Sequence, residues 1–425
     1  MAHLLTLPPR LASSASGLVS SHRDHSIDGL AGALDRRRRS DHPPRRAPRG
    51  DLPAPRRPGR PRARLVHLHR LPPRRSGRRF LRRFRSLHPP PVLGFLDAGQ
   101  PGAFHPAGPP HRSAPAARAL AQGADFTFSF LPAPNDWCVC DALDARVLLR
   151  RRPGDAAAFA DLVVCDPLHR RYVQVPPIPY DLAVSTGAPG MTLNCFLDPA
   201  SEEKREDEDE VSFGVICAVH FQHKLVTFRF SSVTGKWRAL TFDRELSLPT
   251  IQDVTLWSRF FKQQYVHGCF YWRIPGVYAI IQVQCTREMR LRQVEIPTVT
   301  YRQQKVFVEV GEGRLGLLVL HVGILDLYCK TLRDHCIGTE EWQHDRTIPL
   351  PKLDSTWSWW IVGADKRYVL LGAILLGRSW LQNPPAHYFT LDLKTFLVES
   401  LSVSNQLRSA YLYASFPPSL SLPSI

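Results

Sequence analysis

Beyond residue 120 the sequence is a succession of short runs rich in β-branched and aromatic residues, separated by turn residues about every 8–12 positions. Examples are DLVVCDPLHRRYVQVPPIP, KLVTFRFSSVTGKWRALTF and HYFTLDLKTFLVESLSV. Residues of these types suit a pleated sheet, and turns at this spacing are typical of all-β folds. We therefore predict that this part of the chain is mainly β.

A looser repeat accompanies the strands. A charged residue followed by an aromatic one closes a strand pair at Arg171–Tyr172, Lys236–Trp237, Glu341–Trp342 and Lys394–Phe396. A unit of roughly 40–60 residues with this content is typical of the blades of a β-propeller. The alternative is a pair of β-sandwiches with long loops, and we favour the propeller.

The first hundred residues have a different composition. They contain 22 Arg and 6 Asp but no Lys or Glu, whereas residues 101–425 hold 33 basic and 32 acidic residues. Half of the 38 prolines precede residue 116. Proline removes hydrogen-bond donors and like charges repel, so such a segment cannot build a core. The sequence thus predicts a disordered Arg/Pro-rich leader over residues 1–78 and a β domain over residues 123–425.

Residues 79–122 are predicted to form a short helix and a linker. Phe80, Leu81 and Phe84 make one apolar stripe among arginines over Arg79–Leu87, which favours a short basic helix. The prolines at 89–91 end it, and a mostly extended linker is expected to continue to about Gly123.

The uneven charge also bears on partners. Because the formal charge of +17 resides in the leader, it is not evidence that the β domain binds nucleic acid, and we expect no such binding. No hydrophobic run approaches the roughly 20 residues that span a bilayer, so no membrane span is predicted. The acidic run at residues 198–210 is expected to be a solvated loop that projects from the sheets.

The nine cysteines are scattered and odd in number, and the sequence has no glycosylation sequon. This pattern favours reduced thiols and a location in the cytoplasm or nucleus. An organellar location is the alternative, because residues 1–23 contain no acid, two Arg and five Ser, as transit peptides do.

Candidate cofactor and metal motifs were tested against their surroundings. Gly311, Gly313 and Gly316 have the spacing of a dinucleotide-binding loop, but a strand-like run follows them, so a hairpin turn is predicted. His220 and His223 would face opposite sides of a strand. We therefore predict no cofactor and no metal site from these residues.

Structural roles are also expected for two cysteine pairs and a tryptophan cluster. Cys138 and Cys140, like Cys329 and Cys336, lack a second pair at zinc-ribbon spacing and are expected to be buried or partly buried thiols. In the cluster Trp357, Trp359 and Trp360, the first two share one strand face and the third takes the other. Core packing is the expectation for these rings, and a partner-binding rim is the alternative.

The sequence contains no G-x-S-x-G motif and no Cys or Ser in the setting of an activated nucleophile. We therefore expect a protein that is not an enzyme and has no catalytic residue, and we expect no small-molecule ligand. The residues that contact a partner are left unknown.

Five segments between residue 79 and residue 425 are most informative about family: RFLRRFRSLHPPPVLGFLDAG, CDPLHRRYVQVPPIP, HGCFYW, VEVGEGRLGLLVLH and YASFPPSLSLPSI. They resemble grass F-box proteins with a C-terminal F-box-associated β domain. The resemblance implies a substrate receptor of an SCF-type ubiquitin ligase, whose F-box docks a Skp-type adaptor and whose β domain holds a target protein. It also implies that other subunits catalyse ubiquitin transfer.

The chain departs from this family where the F-box should lie. Residues 35–78 are rich in Arg and Pro and show no amphipathic periodicity. Read one nucleotide later, the codons for residues 50–66 are compatible with EIFLRLADPADLARAS, which has leucines at helical spacing. Our hypothesis is a frameshift across the F-box, with a true Arg/Pro leader as the rival. Adaptor binding is then expected to be impaired, and a β-domain small-ligand binder or enzyme with a site at the propeller centre is the alternative function.

Overall fold

Strands dominate the part of the chain that the computed structural model describes. Two units divide the chain, Met1–Arg70 and Leu71–Ile425, and every described residue belongs to the second. The described residues are 84, 87–88, 90–98, 104–152, 161–186, 194–199, 212–220, 224–243, 264–273, 280–284, 291–294, 296–297, 303–311, 313–333, 336–337, 341–351, 357–375, 385–404, 410–421 and 423–425. The leader and nearly all of the acidic run, including its predicted projection, lie outside them.

The described chain begins with a helical turn and then two strands and a helix. These elements are β1 (Val92–Asp97), β2 (Phe104–Pro106) and α1 (Ala114–Gly123). The helix begins with a proline at its first turn and ends at a glycine, as the chemistry of helix ends favours. Its buried residues Ala114, Ala117 and Leu120 recur every three positions, and the helix packs against both strands.

Five consecutive antiparallel sheets follow in the described residues and form the blades of a β-propeller. Blades 1 and 2 contain β3 (Trp137–Leu143), β4 (Arg146–Arg151), β5 (Leu162–Asp166) and β6 (Arg171–Val175), then, after α2 (Tyr180–Ser185), β7 (Asn194–Leu197), β8 (Gly214–His220), β9 (Lys224–Ser231) and β10 (Lys236–Asp243). Blade 3 contains β11 (Gln264–Val266), β12 (Cys269–Arg273), β13 (Ile280–Gln284) and β14 (Leu291–Val294).

Blade 4 contains β15 (Gln304–Val310), β16 (Arg314–His321), β17 (Ile324–Arg333), β18 (Cys336–Ile337) and β19 (Gln343–Pro349). Blade 5 contains β20 (Trp357–Ala364), β21 (Tyr368–Leu375), β22 (Ala386–Asp392) and β23 (Val398–Ser404), and the last strand of the chain is β24 (Ala410–Ala414). The prediction of a mainly β propeller is confirmed. The alternative of two sandwiches is wrong, because sheet follows sheet around a ring of innermost strands.

A smaller sheet closes this ring. Its strand order is β2-β1-β24, so it joins the first and the last strands of the described chain. The strand β24 contacts β20 of blade 5 on one side and β3 of blade 1 on the other. We call this three-stranded sheet the closing sheet.

Each blade is buried on both faces, as β21 shows. Val369 and Leu371 pack in the core between blades 4 and 5, whereas Leu370 packs in the core that blade 5 shares with the closing sheet and blade 1. Successive side chains of a strand point to opposite faces, so a strand with two buried faces must be apolar throughout. This explains the continuous apolar run RYVLLGAILLG in the sequence.

The charged–aromatic repeat of the sequence has a fixed place in the blades. Arg171–Tyr172 begins β6 and Lys236–Trp237 begins β10, whereas Glu341–Trp342 and Lys394–Phe396 lie just before β19 and β23. Within the described residues, the repeat therefore marks the entry to the last strand of four blades, and blade 3 lacks it.

Residues 92–123 differ from the linker that the sequence predicts. All six residues of β1 are buried, and Phe95 pairs with Leu412 of β24. The segment VLGFLD is short and lies among prolines and glycines, so local sequence does not reveal a strand whose partner lies at the other end of the chain. The body of the fold therefore begins near residue 90.

The predicted basic helix is described only in part. Phe84 and Leu87 are helical, and the His88 N–H donates to the Phe84 carbonyl at 2.9 Å. The Phe84 ring contacts Phe416 edge-on, with centroids 5.9 Å apart. The rest of Arg79–Leu87, including Phe80 and Leu81, lies outside the described residues.

Gly94 gives a test of the closing sheet. A Cβ at this position would lie 2.2 Å from the His105 carbonyl oxygen, which belongs to the backbone and cannot move aside without breaking the β1–β2 pairing. We expect Gly94→Ala to lower the free energy of unfolding by about 1–3 kcal/mol in urea denaturation. Gly311→Ala is the matched control, because a Cβ at Gly311 meets no atom within 4 Å; equal stability of the two variants would contradict the assignment.

Candidate functional site

A cavity of about 170 Å³ lies where the innermost strands of blade 1, blade 5 and the closing sheet meet. The charged residues that line it are Asp141, Asp144, Asp365, Lys366 and Arg367. Asp141 lies near the end of β3, Asp144 lies on the turn between β3 and β4, and the other three lie on the turn between β20 and β21. This is the kind of pocket that the small-ligand alternative calls for.

The carboxylates of the cavity are bound to backbone groups. Asp141 accepts the N–H of Ala142 and of Leu197, both at 2.9 Å. Asp365 accepts the N–H of Arg367 at 2.8 Å and of Tyr368 at 2.6 Å, while burial raises the pKa of its carboxyl. Asp141 thus ties β3 to β7 and Asp365 holds the β20–β21 turn, so the cavity does not present them as a pair for acid–base chemistry.

Asp392 binds the Arg367 side chain together with Arg112. Its Oδ2 accepts hydrogen bonds from Arg112 at 2.8 Å and from Arg367 at 2.9 Å, and its Oδ1 accepts the Lys394 N–H at 2.9 Å. Burial opposes its ionisation, but these three donors outweigh burial and lower the pKa of Asp392 to about 2. The carboxylate thereby fastens the segment before α1 to blade 5.

Exposed apolar side chains lie on β6, the outer strand of blade 1, and on α2, which follows it along the chain. Tyr172 and Val173 of β6 are 41% and 38% exposed, and Tyr180 and Val184 of α2 are 71% and 47% exposed. The strand β6 is the edge of its sheet, and Arg171 adds a positive charge to it. We call these five residues the edge patch; exposed aromatic and Arg side chains of this kind are typical of protein-contact surfaces.

Cys138 and Cys140 lie together on β3. Their thiols hydrogen-bond to each other, and this bond, aided by the charge of Arg150, lowers the pKa of Cys138 to about 6 against the effect of burial. The same bond, together with burial, raises the pKa of Cys140. The sequence predicts partly buried thiols here, which is confirmed, but it gives no sign of the neighbouring arginine.

The other residues singled out in the sequence have structural places. Gly311 and Gly313 form the β15–β16 hairpin, as predicted, and the φ of +68° at Gly313 suits glycine. For Gly316 the prediction of a turn is wrong, because this residue lies within β16 between two partner strands. Trp357 and Trp359 pack in the core between blades 4 and 5, whereas Trp360 packs on the opposite face, as predicted. His223, the side chain of His220 and the side chain of Cys336 lie outside what is described.

Among the described residues, no group of three or more His, Cys, Asp or Glu side chains has the arrangement of a metal site. No helix in the described part of the chain is long and apolar enough to cross a membrane.

Comparisons with known proteins assign the chain to no family. No protein-family model and no curated protein matches the sequence. Similar solved structures include a post-proline cleaving enzyme from Rickettsia typhi, with 7% identity, a TM-score of 0.30 and coverage of 60% of this chain and 35% of that one. The Vanderwaltozyma polyspora Nup133 β-propeller domain has 9% identity, a TM-score of 0.29 and coverage of 63% and 68%.

An oligogalacturonate lyase in complex with manganese has 12% identity, a TM-score of 0.30 and coverage of 62% of this chain and 65% of that one. The chain spans about a third of the length of the first two solved structures that it matches. At this level of likeness the activities of these proteins say nothing about this chain.

The pKa of Asp392 predicts a pH dependence of stability. An unfolded Asp titrates near 4, so the stabilisation is complete above about pH 4 and is lost as the pH falls through about 2, the folded pKa. At pH 7 we expect Asp392→Asn to lower the free energy of unfolding by about 1–3 kcal/mol. The difference from the wild type should shrink towards pH 2 in chemical denaturation.

Asp161→Asn is the control for Asp392, because the Asp161–Arg151 ion pair is about two-fifths exposed on each side and should contribute little. Wild-type stability for Asp392→Asn at pH 7 would contradict the assigned role.

The thiol pair predicts an unusual reactivity. We expect the rate of iodoacetamide alkylation at Cys138 to reach half its maximum near pH 6, where an ordinary thiol does so near about 8.5. Peptide mass spectrometry at a series of pH values measures this rate. Arg150→Met should move the midpoint upward and Arg150→Lys should move it less, whereas a midpoint near 8.5 in the wild type would refute the assignment.

Proposed function

We propose that this chain is a target-recognition protein of the F-box family, whose propeller binds a protein destined for ubiquitin transfer by an SCF-type ligase. A propeller fold is compatible with a protein-interaction module. In this proposal the chain itself catalyses no reaction, binds no cofactor, and acts in the cytoplasm or nucleus. The F-box assignment is supported by the sequence resemblance stated above.

The observation that carries the proposal is the position of the edge patch. The segment CDPLHRRYVQVPPIP, which is among the most specific parts of the resemblance, forms the end of β5, all of β6 and the residues that lead into α2. Tyr172, Val173 and Tyr180 of that region are exposed although they are large and apolar. An exposed apolar edge with aromatic anchors is suited to a protein partner rather than to solvent.

A second support is the junction between the helical turn and the propeller. The Phe84 ring contacts Phe416, and the chain enters β1 at Val92, only a few residues later. Phe416 belongs to the segment FPPSL, another specific part of the resemblance. An F-box placed before residue 84 would therefore be joined to the propeller by a short segment, which suits a receptor that presents its target at a defined distance from the adaptor.

The sequence of the F-box region predicts whether the chain binds a Skp-type adaptor. Because residues 35–78 lack amphipathic periodicity, we expect no stable complex when the 425-residue chain is mixed with a purified Skp-type adaptor. A chain in which residues 1–78 are replaced by the translation of the shifted reading frame should co-purify with the adaptor. Robust adaptor binding by the original chain, or none by the restored chain, would overturn the proposal.

The role of the edge patch is tested separately. In cells that express the restored chain, we expect a set of proteins whose ubiquitylation, measured by mass spectrometry, depends on it. The double substitution Tyr172→Asp and Tyr180→Asp should abolish this dependence. Val322→Asp is the matched control, because Val322 is 99% exposed in blade 4, far from the patch in sequence; equal loss in both variants would refute the assignment of the patch.

A further inference from the structure

Four cysteines and one arginine lie at the junction between blades 1 and 2. Cys138 and Cys140 are on β3, Cys195 is on β7, and Cys217 lies directly opposite Cys195 on β8. The strands β3 and β7 contact each other, and Cys195 lies close enough to Cys140 to influence its ionisation. Arg150 of β4 pairs with Cys138 across the sheet. We call these five residues the thiol cluster.

A β-bulge sets the geometry of the first two thiols. Val139 pairs with Leu149 and Asp141 pairs with Leu148, so Cys140 is the extra residue in β3. A bulge bends its strand and departs from regular alternation, which re-aims side chains near it. The Cys140 thiol donates to the Cys138 carbonyl oxygen at 3.9 Å, so the Cys140 sulfur lies beside residue 138.

The surroundings distinguish these two thiols from the rest of the cluster. Cys138 and Cys140 are partly exposed, whereas Cys195 and Cys217 are buried. The Cys138 sulfur also lies 3.3 Å from the Arg150 carbonyl oxygen, which fixes it beside that residue. The guanidinium of Arg150 interacts with Cys140, Cys138 and Cys195, so a thiolate formed at this place has a cation close by.

The chemistry that remains is that of the thiols themselves. In the described residues the cysteines do not form an arrangement that could hold a metal ion. A reachable thiolate next to a second thiol is instead the pattern of an oxidation-sensitive pair, in which one sulfur reacts and the other resolves the product.

We propose that Cys138 and Cys140 form a modification site for hydroperoxides, in which Cys138 is oxidised first and Cys140 then closes a disulfide. The Cys138 thiolate attacks the terminal oxygen of the hydroperoxide; the S–O bond forms, the O–O bond breaks, and the alcohol or water leaves after taking up a proton. The sulfur is oxidised to a sulfenic acid while the peroxide is reduced.

In the second step Cys140 loses its proton and attacks the Cys138 sulfur. The S–S bond forms, the S–O bond breaks, and the departing hydroxide takes up a proton to give water. The first step removes the hydrogen-bonded negative charge that holds the proton on Cys140, so oxidation of Cys138 prepares Cys140 for attack. The disulfide would lie on β3 next to Asp141, which lines the cavity between blade 1, blade 5 and the closing sheet.

The test uses the purified, reduced chain and hydrogen peroxide at neutral pH. Trypsin releases residues 119–146 as one peptide that contains no cysteine other than Cys138 and Cys140. Without reduction, we expect this peptide to lose two hydrogens in mass, and at low peroxide it should do so before Cys165 is oxidised. Cys165 is the internal control because it is buried in the same blade.

Variants assign the two roles. Cys140→Ser should stop at a sulfenic acid on Cys138 that a dimedone probe captures, whereas Cys138→Ser should abolish rapid oxidation of the peptide. Arg150→Met should slow the reaction about 2-fold at pH 7, because a rise of one unit from a pKa of about 6 lowers the thiolate fraction of Cys138 from about nine-tenths to about one half. The same reaction in concentrated guanidinium chloride should lose its selectivity, because it depends on the fold.

Three results would overturn the proposal. The first is oxidation of the 119–146 peptide no faster than that of Cys165 in the folded chain. The second is a disulfide that joins Cys138 to Cys195 instead of Cys140. The third is a sulfenic acid captured on Cys140 rather than on Cys138.

Discussion

The pairing of β1 with β24 is the interaction on which the rest of the structure depends. It joins Val92–Asp97 to Ala410–Ala414, so five blades that follow one another along the chain are fixed at both ends by one sheet. Each blade buries two faces, and without closure the outer faces of blades 1 and 5 would lack a partner. The core that links blade 1, the closing sheet, α1 and blade 5 is consistent with this, since it contains residues from all four. Tyr413 of β24 lies within it and donates its hydroxyl to the Ala145 carbonyl at 3.1 Å.

The same arrangement explains how much of the fold could be predicted. Runs such as YVLLGAIL are apolar because both strand faces are buried, and the opposite packing of Trp359 and Trp360 follows from the two-residue period of a strand. The hairpin at Gly311 could be predicted because turn chemistry is local. The strand β1 could not, because its six residues acquire their partner only when the whole ring has formed.

The candidate sites also combine features that are visible in the sequence with features that only the fold creates. Two cysteines at positions i and i+2 are visible in the sequence, but the bulge at Cys140 and the arrival of Cys195 from the next blade are products of the fold. The edge patch is similar, because the strand-like segment RYVQV gives no sign that it lies at the outside of its sheet. The cavity between blade 1, blade 5 and the closing sheet contains the carboxylates that an enzyme would need, yet Asp141 and Asp365 are bound to backbone N–H groups. Local contacts thus decide which charged residues are available to a ligand.

Limited trypsin digestion, with mass spectrometry of the fragments, tests most directly whether the ring closes through β1. Trypsin can cleave after Arg85, before the closing sheet, and after Arg112 and Arg118, between β2 and β3. Arg112 is held by Asp392 and Glu399, and Arg118 lies within α1. We expect a resistant fragment that begins before Val92 and remains uncut at Arg112 and Arg118. A resistant fragment that begins at Ala119, and so lacks β1 and β2, would contradict closure of the ring through β1.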